Sequence, residues 1–538
     1  MGILNTINNQ ELLFNYAQSG IEEVYFMNDL PWVIGYSGGK DSTCTTQIIV
    51  DTLIKLKKEG KKLQKHIYII SSDTLVETPM IVGTIKKTID GINRLAEKEK
   101  LPISGHIIKP SFDNTFWTNL IGKGYPCPNQ TFRWCTDRMK INPANDFIMS
   151  IVDQFGEAIM VLGVRDGESE SRDRVLEKHT IEGKKLMRHT TMSNAYVFAP
   201  IRAFSIDDVW AYLLGHDSPW GSNNKELFEL YKESAEDCPL IIDKETKQNH
   251  TCGNSRFGCW VCTVVSKDKS LTSFINKGEK WLMPLLDFRN WLYSIRDDED
   301  KRMRRRQDGS IYFARVSFED GHVIIPKKGN REKIIISKSG DKWIDNSNNE
   351  WLLFDGPMSE ANAKDYIFKN KIQLDDGTNP RILIKRINDE YAQLGPGPFT
   401  LDTRKLILRK LFELQRTVGE KHKLFQEKEI YEIRKLWREY GFTDEFIPKT
   451  YNDVFGEELE SFETDDVEFF DEDDYGIIKN LCDENGMPFE LLKEILSNEM
   501  NYMGYSSRSE IGKSIRRILS KEYARSSLGQ IDGEQDED

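Results

Sequence analysis

Short β-rich apolar runs alternate with helical stretches through the first part of the chain. The runs lie at residues 32–34, 67–70 and 158–162, and amphipathic helical stretches separate them between residues 31 and 214. This alternation is typical of βαβ units, in which a crossover helix returns the chain to a parallel strand. It predicts an α/β fold built on a doubly wound parallel sheet.

The remainder of the chain differs in pattern and predicts further domains. A length of 538 residues allows about three to five domains. Between residues 310 and 355, β-rich runs separated by Asp-Gly, Gly-Asn and Ser-Gly turns indicate a small antiparallel β unit, and Thr400 is placed to cap a helix. The predicted regions are a helical lead-in at 1–28, the α/β domain at 29–215, a cysteine-rich segment at 216–270, a helix with the small β-rich unit at 271–365, a helical region at 366–450, and an acidic helical region with a disordered tail at 451–538.

Composition and charge argue against several classes of protein. The 74 basic residues are outnumbered by 87 acidic residues, and the net charge of −13 disfavours a protein that coats nucleic acid by bulk attraction. No apolar run approaches the roughly 18 residues of a membrane span, and the N-terminal residues lack the pattern of a secretion signal. Eight cysteines are too sparse for a disulfide scaffold. We therefore expect a cytoplasmic protein without a membrane partner.

A glycine-rich loop follows the first β-rich run and opens a helix. Its sequence is Ser37-Gly38-Gly39-Lys40-Asp41-Ser42. Such a loop brings backbone N–H groups close to phosphate, and the helix N-terminus favours an anion. A Walker A loop requires Ser or Thr directly after Gly-Lys, whereas Asp41 follows Lys40 here; a plain turn before a helix is the alternative. The loop resembles the PP-loop of the ATP pyrophosphatase superfamily, which implies ATP, release of pyrophosphate and an adenylated intermediate.

Three further segments resemble elements of phosphoadenylylsulfate reductases. Residues 72–79 contain an aspartate–threonine element that begins at Asp73. Residues 163–172 contain a Gly-x-Arg-x-x-Glu-Ser element, and residues 200–213 contain a Pro-Ile…Asp-Val-Trp-x-Tyr helix. Open α/β sheets bind ligands at the carboxyl ends of their strands. The first two segments each follow a predicted strand, so we expect them to border the ligand.

Arg165 carries a guanidinium that suits bidentate contact with phosphate. Taken alone, Arg165 and Glu168 also fit a surface ion pair, and Trp210 and Tyr212 fit an ordinary helix core. The nucleotide-binding residues expected from the two resemblances are Ser37, Gly38, Gly39, Lys40, Asp41, Ser42, Asp73 and Arg165. We assign Lys40, Asp41 and Arg165 to catalysis, with Asp41 acting through Mg²⁺ because a bare carboxylate repels phosphate.

The cysteines cluster in a way that indicates a site. Cys259 and Cys262 form a CxxC pair, Cys252 precedes it by seven residues, and Cys135 lies in a stretch that resembles the Arg-x-Cys-Cys run of iron–sulfur sulfonucleotide reductases, with one cysteine instead of two. Four thiolates hold either a 4Fe–4S cluster or a structural zinc, and purely structural cysteines are a third interpretation. The neighbouring PP-loop favours 4Fe–4S, with Cys135, Cys252, Cys259 and Cys262 as ligands. Cys238 is the alternate fourth ligand or, outside the ligand set, a catalytic nucleophile.

Together these motifs resemble the DndC family, the sulfurtransferase subunits of bacterial DNA phosphorothioate modification systems. The resemblance is specific from about residue 30 to 270 and extends loosely to about 420. It implies that ATP activates a DNA backbone phosphate and that sulfur replaces a non-bridging oxygen. It also implies three kinds of partner: DNA, a cysteine desulfurase and the other phosphorothioation subunits.

Three other functions share parts of this pattern. Sulfonucleotide reductases of sulfate assimilation are about half this length and typically carry a reactive cysteine near the C-terminus, where this chain has none after Cys482. A tRNA thiolase also joins a PP-loop to cysteines, although the reductase-like segments argue against it. The third alternative is a non-catalytic subunit that binds ATP and an iron–sulfur cluster.

A basic run at residues 301–306 is the best candidate for contact with DNA. It holds five basic residues in six positions and directly follows the acidic residues 297–300. Its alternative interpretation is a solvated helix end that neutralises those acids. With the net charge of −13, we expect weak DNA binding confined to such a patch.

Overall fold

The computed structural model describes most of the chain. The described residues are 2–167, 185–188, 192–234, 258–306, 309–326, 333–377, 380–440, 442–459, 472–484, 486–501, 515, 518 and 519. Glu168, Cys238 and Cys252 lie outside them, as do the predicted tail and most of the acidic stretch that precedes it.

A six-stranded sheet forms the first domain, as the alternating pattern predicted. Its strands follow the spatial order β3-β2-β1-β4-β6-β5. The pairs among β1, β2, β3, β4 and β6 are parallel, and β5 is an antiparallel edge strand. The strands are β1 (Trp32–Gly35), β2 (Ile67–Ser72), β3 (Ile103–Ile108), β4 (Ala158–Val161), β5 (Leu186–Arg188) and β6 (Ala195–Phe198).

Both faces of this sheet are buried. In β1, Ile34 packs into one hydrophobic core, and its neighbour Val33 packs into another on the opposite face. Ile69 and Ile70 of β2 divide in the same way. Because both side-chain directions enter a core, these strands are continuous apolar runs rather than alternating ones.

Helices cover the two faces. They are α1 (Gly2–Met27), α2 (Lys40–Lys58), α3 (Pro79–Lys98), α4 (Asn142–Phe155), α5 (Ile206–Gly215) and α6 (Asn224–Ser234). The predicted helical lead-in is α1, and its Ile21 and Val24 are fully buried in the core beneath the sheet. The lead-in is therefore part of the α/β domain.

The strand order reverses beside β1. From β1 the chain crosses to β2 and then β3 on one side, while β4 pairs with the other side of β1. A crevice opens at such a reversal, outside the carboxyl ends of the two strands, and open α/β sheets bind ligands there. The loops that follow β1 and β4 line this crevice.

The predicted β-rich unit is a closed seven-stranded barrel. The strands follow the order β10-β11-β12-β13-β7-β8-β9, and β9 and β10 close it. They are β7 (Phe313–Glu319), β8 (His322–Pro326), β9 (Lys333–Ser339), β10 (Lys342–Asp345), β11 (Glu350–Asp355), β12 (Ile382–Lys385) and β13 (Tyr391–Leu394).

Two features of the barrel differ from the prediction. The predicted boundary at residue 365 is too early, because β12 and β13 lie within the region expected to be helical. The unit is also not wholly antiparallel, since β11 and β12 pair in parallel through the crossover helix α9 (Ser359–Lys369). Each of these late strands has only four residues, and the helix separates them from the earlier β-rich runs.

The remaining helices pack around a second core. They are α7 (Lys269–Asn276), α8 (Met283–Ile295), α10 (Leu401–Val418), α11 (Glu427–Glu439), α12 (Phe446–Phe455), α13 (Glu472–Glu484) and α14 (Phe489–Asn501). Thr400 caps α10 by accepting a hydrogen bond from the Thr403 N–H, as predicted. No helix in the described part of the chain combines the length and apolar character needed to cross a membrane.

Candidate active site

The glycine-rich loop, residues 37–42, connects β1 to α2 at the crevice, and we call it the phosphate loop after the ligand that its sequence predicts. Gly38 has a φ of 74°, in the left-handed region that favours glycine. The Ser42 hydroxyl donates to the Gly39 carbonyl at 3.0 Å and accepts from the Ser37 N–H at 3.2 Å. These bonds fix the loop so that the first backbone N–H groups of α2 face the crevice, as a phosphate-binding loop requires.

Three charged side chains meet at the start of α2. Lys40 Nζ lies 2.8 Å from Asp41 Oδ2, and Arg165 Nε lies 2.6 Å from Asp41 Oδ1. Lys40 and Arg165 are both buried. The group therefore carries one surplus positive charge in a partly desolvated place, which suits an anionic ligand. Arg165 is not a surface residue, and in this structure its partner is Asp41.

Gly163 brings the loop after β4 against α2. A Cβ at this position would lie 2.9 Å from the Asp41 carbonyl carbon and oxygen. Only glycine allows this approach without a shift of the backbone. The contact explains why the segment that carries Arg165 begins with glycine.

Asp73 ends β2 at the same edge of the sheet. Its Oδ1 accepts a hydrogen bond from the Leu75 N–H at 2.9 Å, and its Oδ2 lies 3.8 Å from Lys109 Nζ. Leu75 has a φ of 64°, which is uncommon for a residue with a branched side chain. The chain turns sharply here and directs the following residues away from the sheet.

The turn places the residues after β2 against the CxxC pair. Glu77 and Cys259 form an antiparallel bridge, and the Trp260 N–H donates to the Val76 carbonyl at 3.0 Å. The Thr74 hydroxyl lies 3.3 Å from Cys259 Sγ. We call residues 73–78 the bridging loop, since its first residue follows the strand that pairs with β1 and its later residues contact Cys259.

Three of the predicted ligand cysteines lie near one another: Cys135, Cys259 and Cys262. Burial and the Glu77 carboxylate raise the pKa of the Cys259 thiol, while Lys140 acts in the opposite direction. Burial, with a smaller contribution from Cys262, raises the pKa of Cys135. Lys140 Nζ also lies 3.2 Å from Glu77 Oε1. A cation thus stands beside thiols that would carry negative charge as metal ligands.

The surrounding backbone fixes the CxxC turn. Arg289, which is fully buried, donates from Nε to the Cys262 carbonyl at 2.8 Å. The Thr263 hydroxyl donates to the Pro128 carbonyl at 2.7 Å. Trp134 and Trp260 pack into the second core beneath the cysteines. This apolar shell limits the access of water to the site.

The cysteine thiols suit a metal that binds thiolates, but the described residues do not form a complete metal site. Among the described residues, no three His, Cys, Asp or Glu side chains gather closely enough to hold a metal ion. Cys252 and Cys238, the predicted fourth ligand and its alternate, lie outside the described residues. The cluster assignment therefore stays a prediction.

The sequence pattern missed several residues of this site. Glu77 and Thr74 lie in the segment 72–79, but no feature of the nearby sequence indicates that they contact Cys259, which is 182 and 185 positions away. Tyr231 of α6 contacts the phosphate loop, with its hydroxyl accepting from the Lys40 N–H at 3.3 Å. Its helix has an ordinary amphipathic sequence, so the sequence did not indicate that Tyr231 contacts the loop.

The basic run at 301–306 is not the free cationic patch expected for DNA. Arg304 is buried and pairs with Glu299 at 2.9 Å. Arg302 donates to the Gly397 carbonyl at 2.6 Å, and Arg305 forms a salt bridge with Asp375. These side chains join the acidic turn to the end of the barrel. The Arg304–Glu299 pair agrees with the alternative in which the run neutralises residues 297–300, and DNA contact through the run stays a prediction.

Comparison with known proteins identifies the region that holds both parts of the site. Residues 31–265 match the family model of the phosphoadenosine phosphosulfate reductase domain. An uncharacterized protein of Methanocaldococcus jannaschii is 23% identical over 279 residues, which are 51% of this chain and 46% of that relative. The chain thus aligns with about half the length of this relative.

Two solved structures, a reductase and a tRNA thiolase, are each similar to this chain with a TM-score of 0.25. Phosphoadenylyl-sulfate reductase from Candida auris, in a phosphate complex, is 15% identical and covers 39% of this chain and 83% of that chain. The U34-tRNA thiolase NcsA from Methanococcus maripaludis, with its 4Fe–4S cluster, is 13% identical and covers 42% of this chain and 75% of that chain.

Proposed function

Because residues 31–265 match the family model of the phosphoadenosine phosphosulfate reductase domain, we propose that the chain is an ATP-dependent sulfurtransferase of DNA phosphorothioation. It uses ATP to activate a backbone phosphate of DNA, releasing pyrophosphate. Sulfur then displaces AMP, so that a non-bridging oxygen is replaced by sulfur.

The observation that carries this proposal is the bridging loop. Asp73 at its start lies at the carboxyl end of β2, the strand that pairs with β1, while Thr74 and Glu77 contact Cys259. Activation by ATP and delivery of sulfur must occur at one phosphate, because an adenylated phosphodiester would hydrolyse if it had to diffuse to a second site. A short loop that runs from the strand beside β1 to the CxxC pair supports that requirement.

In the proposed mechanism, the phosphate loop binds and orients ATP. The N–H groups at the start of α2 and the Lys40 ammonium bind its phosphates, and Arg165 stabilises the charge that develops at the α-phosphate. Asp41 keeps the two cations in place. Its carboxylate would also hold Mg²⁺, which would offset the negative charge of the phosphates.

The DNA phosphate oxygen attacks the α-phosphorus of ATP, and the bond to pyrophosphate breaks. This step turns a poor leaving group into part of AMP. Sulfide sulfur then attacks the DNA phosphorus, and the bond to AMP breaks. One DNA oxygen leaves with AMP and one sulfur enters, so the reaction needs no net oxidant.

The cysteine site would hold the sulfur or the cluster that carries it. Cys135, Cys252, Cys259 and Cys262 would bind a 4Fe–4S cluster, which supplies a soft site for sulfide when bound. Cys238 remains the proposed nucleophile outside the ligand set. The chain's own residues contribute the Lys140 cation and the apolar shell of Trp134 and Trp260.

DNA, a cysteine desulfurase and other modification subunits are the proposed partners. The net charge of −13 disfavours strong binding of DNA by this chain alone. The arginines of the 301–306 run are engaged within the chain. Partner subunits would therefore supply most of the contacts with DNA and select the target.

Sulfur content of DNA in cells that express the complete modification system tests the proposal. Lys40→Ala and Cys259→Ser should each abolish phosphorothioate linkages, measured by mass spectrometry of digested DNA. Cys482→Ser, a buried cysteine in α13, is the matched control and should leave them unchanged. Normal DNA sulfur in both site variants would refute the proposed function.

A sulfonucleotide reductase is the second candidate, favoured by the family match over residues 31–265. The substrate would then be an adenylylated sulfate, and sulfite would be released at the expense of a thiol reductant. Sulfite formed from phosphoadenylylsulfate without added ATP would establish this alternative. Its absence, with cleavage of ATP to AMP and pyrophosphate, would favour the sulfurtransferase.

A further inference from the structure

Tyr231 of α6 lies at the anion-binding end of the phosphate loop. Its hydroxyl accepts a hydrogen bond from the Lys40 N–H at 3.3 Å, and a Cβ on Gly39 would lie 3.1 Å from the same oxygen. A backbone N–H that follows a glycine-rich loop at the start of a helix is a typical phosphate donor. The tyrosine oxygen thus lies where a phosphate oxygen would accept a hydrogen bond.

The ring of Tyr231 also contacts the cation of the loop. Lys40 Nζ lies 5.3 Å from the ring centroid, within the range of a cation–π interaction. The same residue therefore contacts both groups of Lys40 that would bind phosphate, its N–H and its ammonium. A phosphate oxygen cannot accept a hydrogen bond from the Lys40 N–H while the Tyr231 hydroxyl occupies that position.

The two ends of α6 are held differently. At its start, Asn224 is buried and donates from Nδ2 to Gln47 Oε1 at 2.9 Å and to the Leu213 carbonyl at 2.8 Å. Tyr231 lies two turns later, where its ring meets Trp210 edge-on at 5.3 Å. Displacement of Tyr231 would therefore move the late part of the helix while the Asn224 end stays attached to α2.

We propose that Tyr231 is a latch that nucleotide phosphate displaces from the loop. Its release moves the late part of α6 (Asn224–Ser234), so that occupancy of the nucleotide site is coupled to the position of this helix. This inference rests on the proposed binding of ATP at the loop.

Binding of the ATP analogue AMPCPP with Mg²⁺ to the full chain tests the latch. AMPCPP is not cleaved between its α and β phosphates, so calorimetry measures affinity alone. Tyr231→Phe removes the competing hydroxyl and should tighten binding about two- to tenfold, the range expected from one hydrogen bond. Tyr366→Phe, on the barrel helix α9, is the matched control and should bind as the unmodified chain does. Unchanged or weaker binding by Tyr231→Phe would overturn the latch.

Hydrogen exchange gives a second readout. AMPCPP should speed amide exchange in residues 228–234 of the unmodified chain, whereas Tyr231→Phe should show faster exchange there before nucleotide is added. Slower or unchanged exchange on binding would show that α6 closes over the nucleotide or stays still, and either result would overturn the latch.

The two proposals fail in different ways. If AMPCPP binds neither the unmodified chain nor Tyr231→Phe, the proposed function fails and the latch with it. If both bind with equal affinity and equal exchange, only the latch fails. Binding by Tyr231→Phe alone would support both proposals.

Discussion

Asp41 contacts two cations at the proposed nucleotide site. Its two carboxylate oxygens contact Lys40 and Arg165, both of which are buried. Two positive charges and one negative charge leave a net attraction for phosphate without requiring an isolated buried cation. The tight packing of Gly163 against Asp41 fixes the loops that carry these groups.

Replacing Gly163 by alanine should therefore disturb nucleotide binding. The added Cβ would lie 2.9 Å from backbone atoms of Asp41, so the loop must shift, at a cost of about 1–3 kcal/mol in stability. The KM for ATP should rise at least tenfold in an assay of AMP release. Gly83→Ala, in α3 with nothing within 4 Å of the new Cβ, is the matched control. Equal KM values for the two variants would contradict the role of this contact.

Glu429 of α11 predicts a pH dependence of stability. It is fully buried, and burial raises its pKa from 4.5 to about 7. The folded state thus favours the protonated form, so its contribution is fully present below pH 4.5 and is lost as the pH rises through 7. The loss is about 3 kcal/mol, from about 1.4 kcal/mol for each pKa unit.

Glu429→Gln should remove most of the slope of stability against pH. Denaturant unfolding between pH 5 and 8 measures it, and Glu439→Gln, an exposed position on the same helix, is the control. A slope as steep in Glu429→Gln as in the unmodified chain would show that Glu429 is ionised without cost.

At the scale of elements, the C-terminal helices belong to the cysteine site. The second core contains Trp134 and Trp260 from beside the cysteines together with residues of α10 and α11. Trp437 of α11 is fully buried and donates from Nε1 to the Ile121 carbonyl at 3.1 Å. The helical region therefore supports the segments that carry the predicted ligands.

Trp437→Ala should weaken this support. Loss of a buried tryptophan costs about 3–5 kcal/mol, and the cavity lies in the core that also contains Trp134 and Trp260. Anaerobically purified protein should unfold at lower denaturant concentration and retain less iron. Trp343→Ala, in the barrel, should lower stability while leaving the iron content unchanged. Equal iron content in the two variants would contradict the proposed support.

The sequence predicted those elements whose signals are local. The phosphate loop, its flanking strand and helix, and the Thr400 cap all depend on residues a few positions apart. The barrel boundary was missed because β12 and β13 are short and follow a helix. The salt bridge of Arg305 with Asp375 could not be predicted from the basic run, because the two residues lie 70 positions apart.

At the scale of the whole molecule, the site is built from distant parts of the chain. The first domain supplies the phosphate loop. The bridging loop runs from this domain to the CxxC pair, and the C-terminal helices pack in the second core beside the cysteines. Neither the first domain nor the C-terminal helices form this arrangement alone. The central claim is that the phosphate activated by ATP is the one that receives sulfur.

Isotope transfer from DNA to AMP tests this claim most directly. DNA with ¹⁸O at both non-bridging oxygens of the target phosphates is incubated with the chain, its modification partners, ATP and a sulfur donor. The mechanism predicts one ¹⁸O in AMP for each sulfur that enters DNA, because the displaced oxygen leaves with AMP. AMP without ¹⁸O alongside sulfur in DNA, or ADP as the product, would contradict it.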